Sequence, residues 1–378
     1  MHVTVLLQAV NPGDQLGYDA GFRSLVSRGR IAGYSPFCYR AANGPSGWSA
    51  LWQSVAADMR ATGSEVLMCQ FFHGSGLPDP RAGLAQIASL PQRPIVATTC
   101  GDGFGPRFAA PPQQFVRAAV ASDITFCTSM GRLATGLTRA GAKRVTLMPH
   151  GACDVRFGAT QPPELNVDRP FDVLFVGNRP EGRNFAKHLF WSGRRRLELV
   201  EVLSRRFGPR FGVFGRGWDG FAGWQGPIPF DQQSLVCQQS SVVFGGYPGS
   251  SCDYYLSDRP FSAMVSGVPF VDFDVPRIDR ILKRSEEVFL FHDADSLLRI
   301  IELQLARTAT ERQETGRVAA NAVRDRHLVS HRVELMVEIF DELLEARARH
   351  RDALAMPLPF FHDGVDQSAE QPTAFLNW

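Results

Sequence analysis

The chain has 378 residues, 44% of them hydrophobic and 21% charged. That excludes a disordered or membrane-dissolved polypeptide and leaves room for two domains of about 100 to 200 residues, each with its own core. A net charge of +2 is too balanced to draw a nucleic acid or a membrane surface by bulk electrostatics, so any basic site must be local.

The positive charge is nearly all arginine, since Lys143, Lys187 and Lys283 are the only lysines. Seven cysteines are scattered along the chain with no CxxC pair and no Cys/His cluster of zinc spacing. They read as buried free thiols of a reducing compartment, and no structural metal is expected. The amino terminus runs directly into a strand, and no apolar run reaches the roughly 18 to 20 residues that span a bilayer. The expectation is a cytoplasmic protein that makes at most peripheral contact with a membrane.

In chain order, β-like apolar runs are HVTVLLQAV (2–10), SEVLMCQFF (64–72), RPIVATTCG (93–101), SDITFCTS (122–129) and KRVTLMPHG (143–151). Helix-like stretches lie between them at 18–28, 48–60, 81–89, 114–121 and 132–140. A proline-rich, polar stretch then breaks the rhythm, and a second series follows: FDVLFVGN (171–178), RFGVFGRGW (210–218), SVVFGGY (241–247), VPFVDFD (268–274) and EVFLFHD (287–293). Its helices are expected at 194–207, 260–266 and 295–306. Strand and helix alternating twice predict an α/β chain of two doubly wound, Rossmann-like domains facing a cleft. The domains are placed at 1–157 and 171–335, joined by a linker at 158–170. An almost unbroken helical pattern over 309–350 predicts a long carboxy-terminal helix that crosses back to the first domain. The segment 336–378 is read as that helix and its aperiodic tail, either disordered or a strap on the surface.

Four stretches carry chemistry. In MPHGACDVRFG (148–158), Pro149 and Gly151 end a strand in a sharp turn, and His150 and Asp154 either face the cleft or serve only as turn and cap residues. In FDVLFVGNRPEGRN (171–184), Gly177 would let backbone approach a ligand, while Arg179, Arg183 and Lys187 could neutralise phosphate or lie solvated. In RFGVFGRGWDG (210–220), Gly215 and Gly217 free the backbone and Trp218 either borders a base or packs. In FGGYPGSSCDYYLSDRPFSAMVSGVPFVDFD (244–274), a glycine-rich loop with Ser250, Ser251 and Ser257 runs into Arg259 and a helix starting near Pro260, a combination suited to an anion.

These motifs resemble those of GT-B glycosyltransferases, in particular the spore-maturation (CgeB-type) and group 1 families. MPHGACDVRFG is similar to the exit from their first domain, with Pro149, Gly151, Asp154 and Phe157 matching and one extra residue at Ala152–Cys153. The last stretch is similar to their donor signature through Ser257, Arg259, Phe261, Ala263, Gly267 and Pro269. The resemblance implies a cleft enzyme that moves a sugar from a nucleoside diphosphate sugar to an acceptor hydroxyl, with no cofactor beyond the donor. It places the donor on Gly177, Arg179, Arg183, Gly215, Trp218, Ser250, Ser251, Ser257, Arg259 and Ser262. Ser262 stands where the family holds the ribose with a glutamate, and Tyr254 stands where many members carry a second acidic residue, with Asp253 and Asp258 beside it.

Candidates for a catalytic base, at strand ends facing the cleft, are Asp102, His73 and His150, with Asp14 similarly placed. Asp272 and Asp274 form a D-x-D pair, which invites a rival metal-clamp reading. Arg194, Arg195, Arg196, Arg205, Arg206 and Arg210 form a basic flank, either solvated or facing phosphate headgroups. A sugar-nucleotide epimerase or hydrolase, and a degenerate binder without turnover, remain alternatives on the same shell. The acceptor is left open as glycan, lipid-linked sugar, protein or small molecule.

Overall fold

The computed structural model describes residues 1–72, 77–104, 110–161, 163–164, 168–179, 191–246, 252–354, 356–367 and 373–375. The first half builds β1 (His2–Leu7), β2 (Gly33–Cys38), β3 (Val66–Cys69), β4 (Ile95–Cys100), β5 (Ile124–Cys127) and β6 (Arg144–Leu147), in spatial order β6-β5-β4-β3-β1-β2 and all parallel. The second half builds β7 (Phe171–Val176), β8 (Phe211–Phe214), β9 (Trp224–Gly226), β10 (Ser240–Phe244), β11 (Phe270–Phe273) and β12 (Phe289–Phe291), in order β12-β11-β10-β7-β8-β9, again parallel. Central strands such as Val66–Cys69 and Ile124–Cys127 are buried along their whole length, as a sheet covered on both faces requires. The pattern missed β2 because its GYSPFC carries glycine and proline; β2 is an edge strand, the position where Pro36 can be tolerated.

Helices α1 (Leu16–Ser27), α2 (Gly44–Thr62), α3 (Arg81–Ala88), α4 (Gln113–Ala121), α5 (Arg132–Arg139) and α6 (Asp154–Phe157) accompany the first sheet. Between the strands of the second lie α7 (Trp191–Phe207), α8 (Gln233–Cys237) and α9 (Asp258–Met264), and after it come α10 (Ala294–Ala306), α11 (Ala309–Arg326) and α12 (Val329–Ala348). Both sheets reverse direction once: the chain steps from β1 outward to β2 and then back past β1 to β3, and likewise from β7 to β8 and β9 and back to β10. The crevice beyond the carboxyl ends of β1 and β3, and of β7 and β10, is where such sheets take ligands.

The expected helix over 309–350 is two helices. They break at His327–Leu328, where Leu328 is extended and forms a parallel bridge with Ala152. Ala152 donates its N–H to His327 O at 2.8 Å and accepts from Val329 N at 2.9 Å, so the elbow is tied to the exit from the first domain. The second of the two helices, α12, returns to the first domain as expected. Val333, Met336, Val337 and Phe340 are wholly buried, each worth roughly 1.5 to 3 kcal/mol against exposure. A side chain at Gly17 or Gly21 of α1 would meet Val329 or Val333 at 3.1 Å. The tail ends in a short strand, Thr373–Phe375, antiparallel on the β6 edge, which makes it a strap.

Among the described residues no helix is long and apolar enough to cross a membrane. All seven cysteines are free, and six are buried. Burial pushes the Cys69 and Cys237 thiols up to about 12.

Candidate functional site

Two chambers adjoin at Phe230, one lined by described residues of the second domain and one by residues of both domains. The larger, about 590 Å³, lies at the carboxyl end of β7. There the chain turns through Gly177, whose N–H donates to Phe214 O at 2.8 Å, and Arg179 N reaches Arg216 O at 2.9 Å. In return Arg216 N donates to Asn178 Oδ1 at 2.9 Å. The turns after β7 and β8 are thus zipped together, which needs a bare backbone at the crossing. Gly215 sits at φ +136°, and a Cβ there would lie 2.4 Å from Gly177 O. A Cβ at Gly177 would come within 3.1 Å of Arg259 Nη1, so the guanidinium from α9 lies close against this turn.

Arg196 enters from α7 almost fully buried, its Nε donating to Gly246 O at 2.9 Å and its Nη1 to Asn178 O at 3.3 Å. Arg179, Arg196, Arg216 and Arg259 all line this chamber, and among its described lining residues no carboxylate opposes them. Four guanidiniums around one concavity make a strong local field for an anion, in a chain almost neutral overall. Pro227, Ile228 and Phe230 give the chamber an apolar side.

The smaller chamber, about 380 Å³, has a wall from each domain: Asp14, Tyr18, Phe71 and His150 from the first, Phe230, Asp258 and Ser262 from the second. His150 Nε2 lies 2.6 Å from Gly101 O, a carbonyl that can only accept, so Nε2 carries a proton and Nδ1 is the ring nitrogen left for other partners. Its ring packs 5.6 Å from Phe71, which Tyr18 meets edge-on at 5.8 Å. Asp14 accepts the N–H groups of Val10 at 2.8 Å and Asn11 at 3.2 Å. Those backbone bonds hold its carboxyl below the usual range, so it stays ionised.

Of the residues expected from sequence, Gly177, Arg179, Gly215 and Arg259 come together in the larger chamber, and His150 and Ser262 in the smaller. Ser257 is buried where α9 begins. Trp218 needs correcting: it has no exposed surface, its Nε1 donates to Gly177 O at 2.6 Å, and it meets Phe175 at 90°. It braces the turn from beneath and has no face for a base. Ser262 falls inside α9 and spends its hydroxyl on Asp258 O at 3.1 Å. Asp102 is exposed and lines neither chamber. His73, Arg183, Lys187, Ser250 and Ser251 lie outside the described residues.

Asp154 caps α12, accepting Ser330 N at 3.1 Å. The D-x-D pair is spent within the protein: Asp272 is buried and accepts its neighbour's Phe273 N at 2.9 Å, while Asp274 pairs with Arg284 at 2.8 Å. The basic flank is largely matched, with Arg194 and Arg195 on Glu198, Arg206 on Glu302 and Arg210 on Asp172. Sequence reasoning left Arg196 on that flank and passed over Arg216. The signal for Arg216 was its place inside the G-x-G turn; for Arg196 there was none, because its neighbours at 194 and 195 look alike.

The glycosyl transferase-like family matches residues 194–338. Among curated proteins nothing matches the chain. Solved structures share its fold along nearly its full length. Anabaena HepE, crystallised with UDP and glucose, is 14% identical over 90% of this chain and 99% of its own, with TM-score 0.56. Sucrose-phosphate synthase from Thermosynechococcus elongatus is 12% identical over 92% and 100%, with TM-score 0.60. A glycosyltransferase from Rickettsia africae is 12% identical over 91% and 98%, with TM-score 0.62. The family match lies within the second half of the chain, and through both halves the chain has the two-domain fold of these structures, two of which are transferases or synthases of sugars by their names.

Proposed function

We propose that the chain transfers a hexosyl unit from a nucleoside diphosphate sugar to an acceptor hydroxyl, with the diphosphate in the arginine-lined chamber and the acceptor in the chamber beside His150. The observation that carries this is the convergence of Arg179, Arg196, Arg216 and Arg259 on one concavity free of described carboxylates. Charge that develops on the leaving diphosphate meets donors already in place, the arrangement that contributes most to such transfers. Planar guanidiniums suit phosphate oxygens because they can bind them in pairs. Pro227 and Ile228 offer an apolar surface for a base, and HepE, a protein of the same fold, was crystallised with UDP.

In the second chamber, the Nδ1 lone pair of His150 is the group we assign to take the acceptor's proton. With the guanidiniums supplying the positive charge, transfer is expected to proceed without a divalent ion, and excess EDTA should leave its rate unchanged.

A thermal-shift panel of UDP, GDP, dTDP, CMP and ADP tests the donor site. A ligand at a hundred times its Kd adds about 2.7 kcal/mol to stability. One nucleotide should raise Tm, and Arg259→Ala should cost at least tenfold in its affinity, about 1.4 kcal/mol. No shift with any of the five near millimolar concentration would overturn the reading.

A further inference from the structure

We infer that Phe230 is the surface on which the transferred sugar ring rests between the two chambers, and so a residue that sets sugar specificity; this rests on the donor reading above. Among the described residues it is the one that lines both chambers. It is 38% exposed, unusual for a phenylalanine, yet it is held firmly. Phe157 meets it edge-on at 5.5 Å, the Arg156 guanidinium stands 5.2 Å from its ring centre, and Pro229 fixes the backbone just before it. A well-anchored aromatic ring that keeps part of its surface exposed is a preorganised contact, one that loses little freedom when a ligand arrives.

Chemistry fixes what must lie there. The anomeric carbon is a single oxygen away from the outer phosphate, so a diphosphate among the four arginines leaves its sugar at the edge of that chamber. The acceptor must reach the same carbon from the other chamber. The ring therefore occupies the boundary that Phe230 shares with the first turn of α9, where Arg259 lines the donor side and Asp258 the acceptor side. The C–H face of a hexose packs well on an aromatic ring, and a carboxylate such as Asp258 accepts hydrogen bonds from its hydroxyls. Sequence alone gives no hint of this, since Phe230 lies outside every motif.

Titration calorimetry on the full chain separates a sugar contact from a supporting role. UDP is compared with UDP-glucose, UDP-galactose and UDP-N-acetylglucosamine, or the same pairs on whichever base the nucleotide panel selects. Phe230→Ala should weaken the best nucleotide sugar at least fivefold, leave the bare nucleotide within twofold, and narrow the differences among the sugars; Phe230→Tyr should restore them. Equal loss for nucleotide and nucleotide sugar would make Phe230 a prop for the pocket and overturn the inference, as would no loss for either. A wild-type chain that binds no nucleotide overturns the donor reading and this inference together, whereas nucleotide binding with no Phe230-dependent difference overturns this inference alone. Phe230 is partly exposed, and an unchanged Tm for the free variants distinguishes a lost contact from a lost fold.

Discussion

At the residue scale, the arginine-lined chamber depends on positions that tolerate no side chain. Gly215 holds φ +136°, and a methyl group there would press on Gly177 O, which also accepts the Trp218 indole N–H. Gly215→Ala therefore sets backbone strain of roughly 1 to 3 kcal/mol against the pairing of the two turns. The expected result is a lower Tm together with at least a tenfold loss of nucleotide affinity, because Arg179 and Arg216 are positioned by that pairing. Retained affinity in a destabilised Gly215→Ala protein would show that the turns do not place the arginines. Trp218 teaches the complementary lesson: an aromatic residue beside a glycine turn looks like a ligand platform, but here burial and a 2.6 Å bond to the turn make it a brace.

At the element scale, the elbow between α11 and α12 concentrates buried polar groups. The Arg332 guanidinium is spent on backbone carbonyls, donating to Pro149 O at 2.9 Å, Arg326 O at 2.7 Å and His150 O at 3.2 Å. It also donates to His327 Nδ1 at 2.9 Å, which leaves that imidazole neutral with its Nδ1 as acceptor. His327 is wholly buried and stacks on Phe261 of α9 at 4.9 Å, linking the elbow to the second domain. Burial first, then the Arg332 and Arg326 charges, push its pKa well below the ordinary value, and His331 beside it is lowered too.

In the unfolded chain both histidines gain a proton near pH 6.5, while the folded chain resists it. The unfolded state then binds more protons, so stability falls as pH drops below 6.5, by up to about 1.4 kcal/mol per pH unit for each histidine. This precedes any loss from Asp14 or Glu342, whose carboxyls are held below their ordinary values by hydrogen bonds. Urea melts between pH 7.5 and 5.5 should show this slope, and His327→Gln should flatten it to what His331 leaves. An unchanged slope in the variant would mean that His327 does not stay neutral in the fold.

At the scale of the whole molecule, the first domain is completed by the last long helix. α12 packs on α1, Phe340 reaches Phe126 of β5 at 5.9 Å, and Arg28 and Arg30 pair with Glu334 and Asp341. A chain ended after Leu328 would expose the α1 face that Val329 and Val333 cover and the Phe126 ring that Phe340 meets. The expectation is loss of cooperative unfolding in the first domain, seen as strong dye binding and an early melting transition, with the second sheet's transition retained. A cooperative, dye-free first domain in that truncation would show that the helix is an ornament. Chain return also links the two halves twice, through the connection after α6 and through the elbow, where Gly151 leaves no room for a side chain against His327 O and Leu328.

The sequence by itself determined the layered α/β architecture, because short runs of Val, Leu, Ile and Phe bounded by glycine and proline and alternating with helical periods fit central parallel strands. It also marked the glycine turns at 177 and 215 and the arginine at 259, since local chemistry limits those positions whatever surrounds them. Tertiary structure alone decided the rest. The break at His327–Leu328 has no glycine or proline to announce it and exists because Ala152 supplies backbone partners from 176 residues away. Arg196 became a chamber residue and Arg194 an exposed one through the rotation that α7 takes as it packs beside β8 and α10. Phe230 acquired its place on two chambers only when the domains met. Periodicity records which face of an element is buried; which face meets another domain depends on contacts that no local pattern contains.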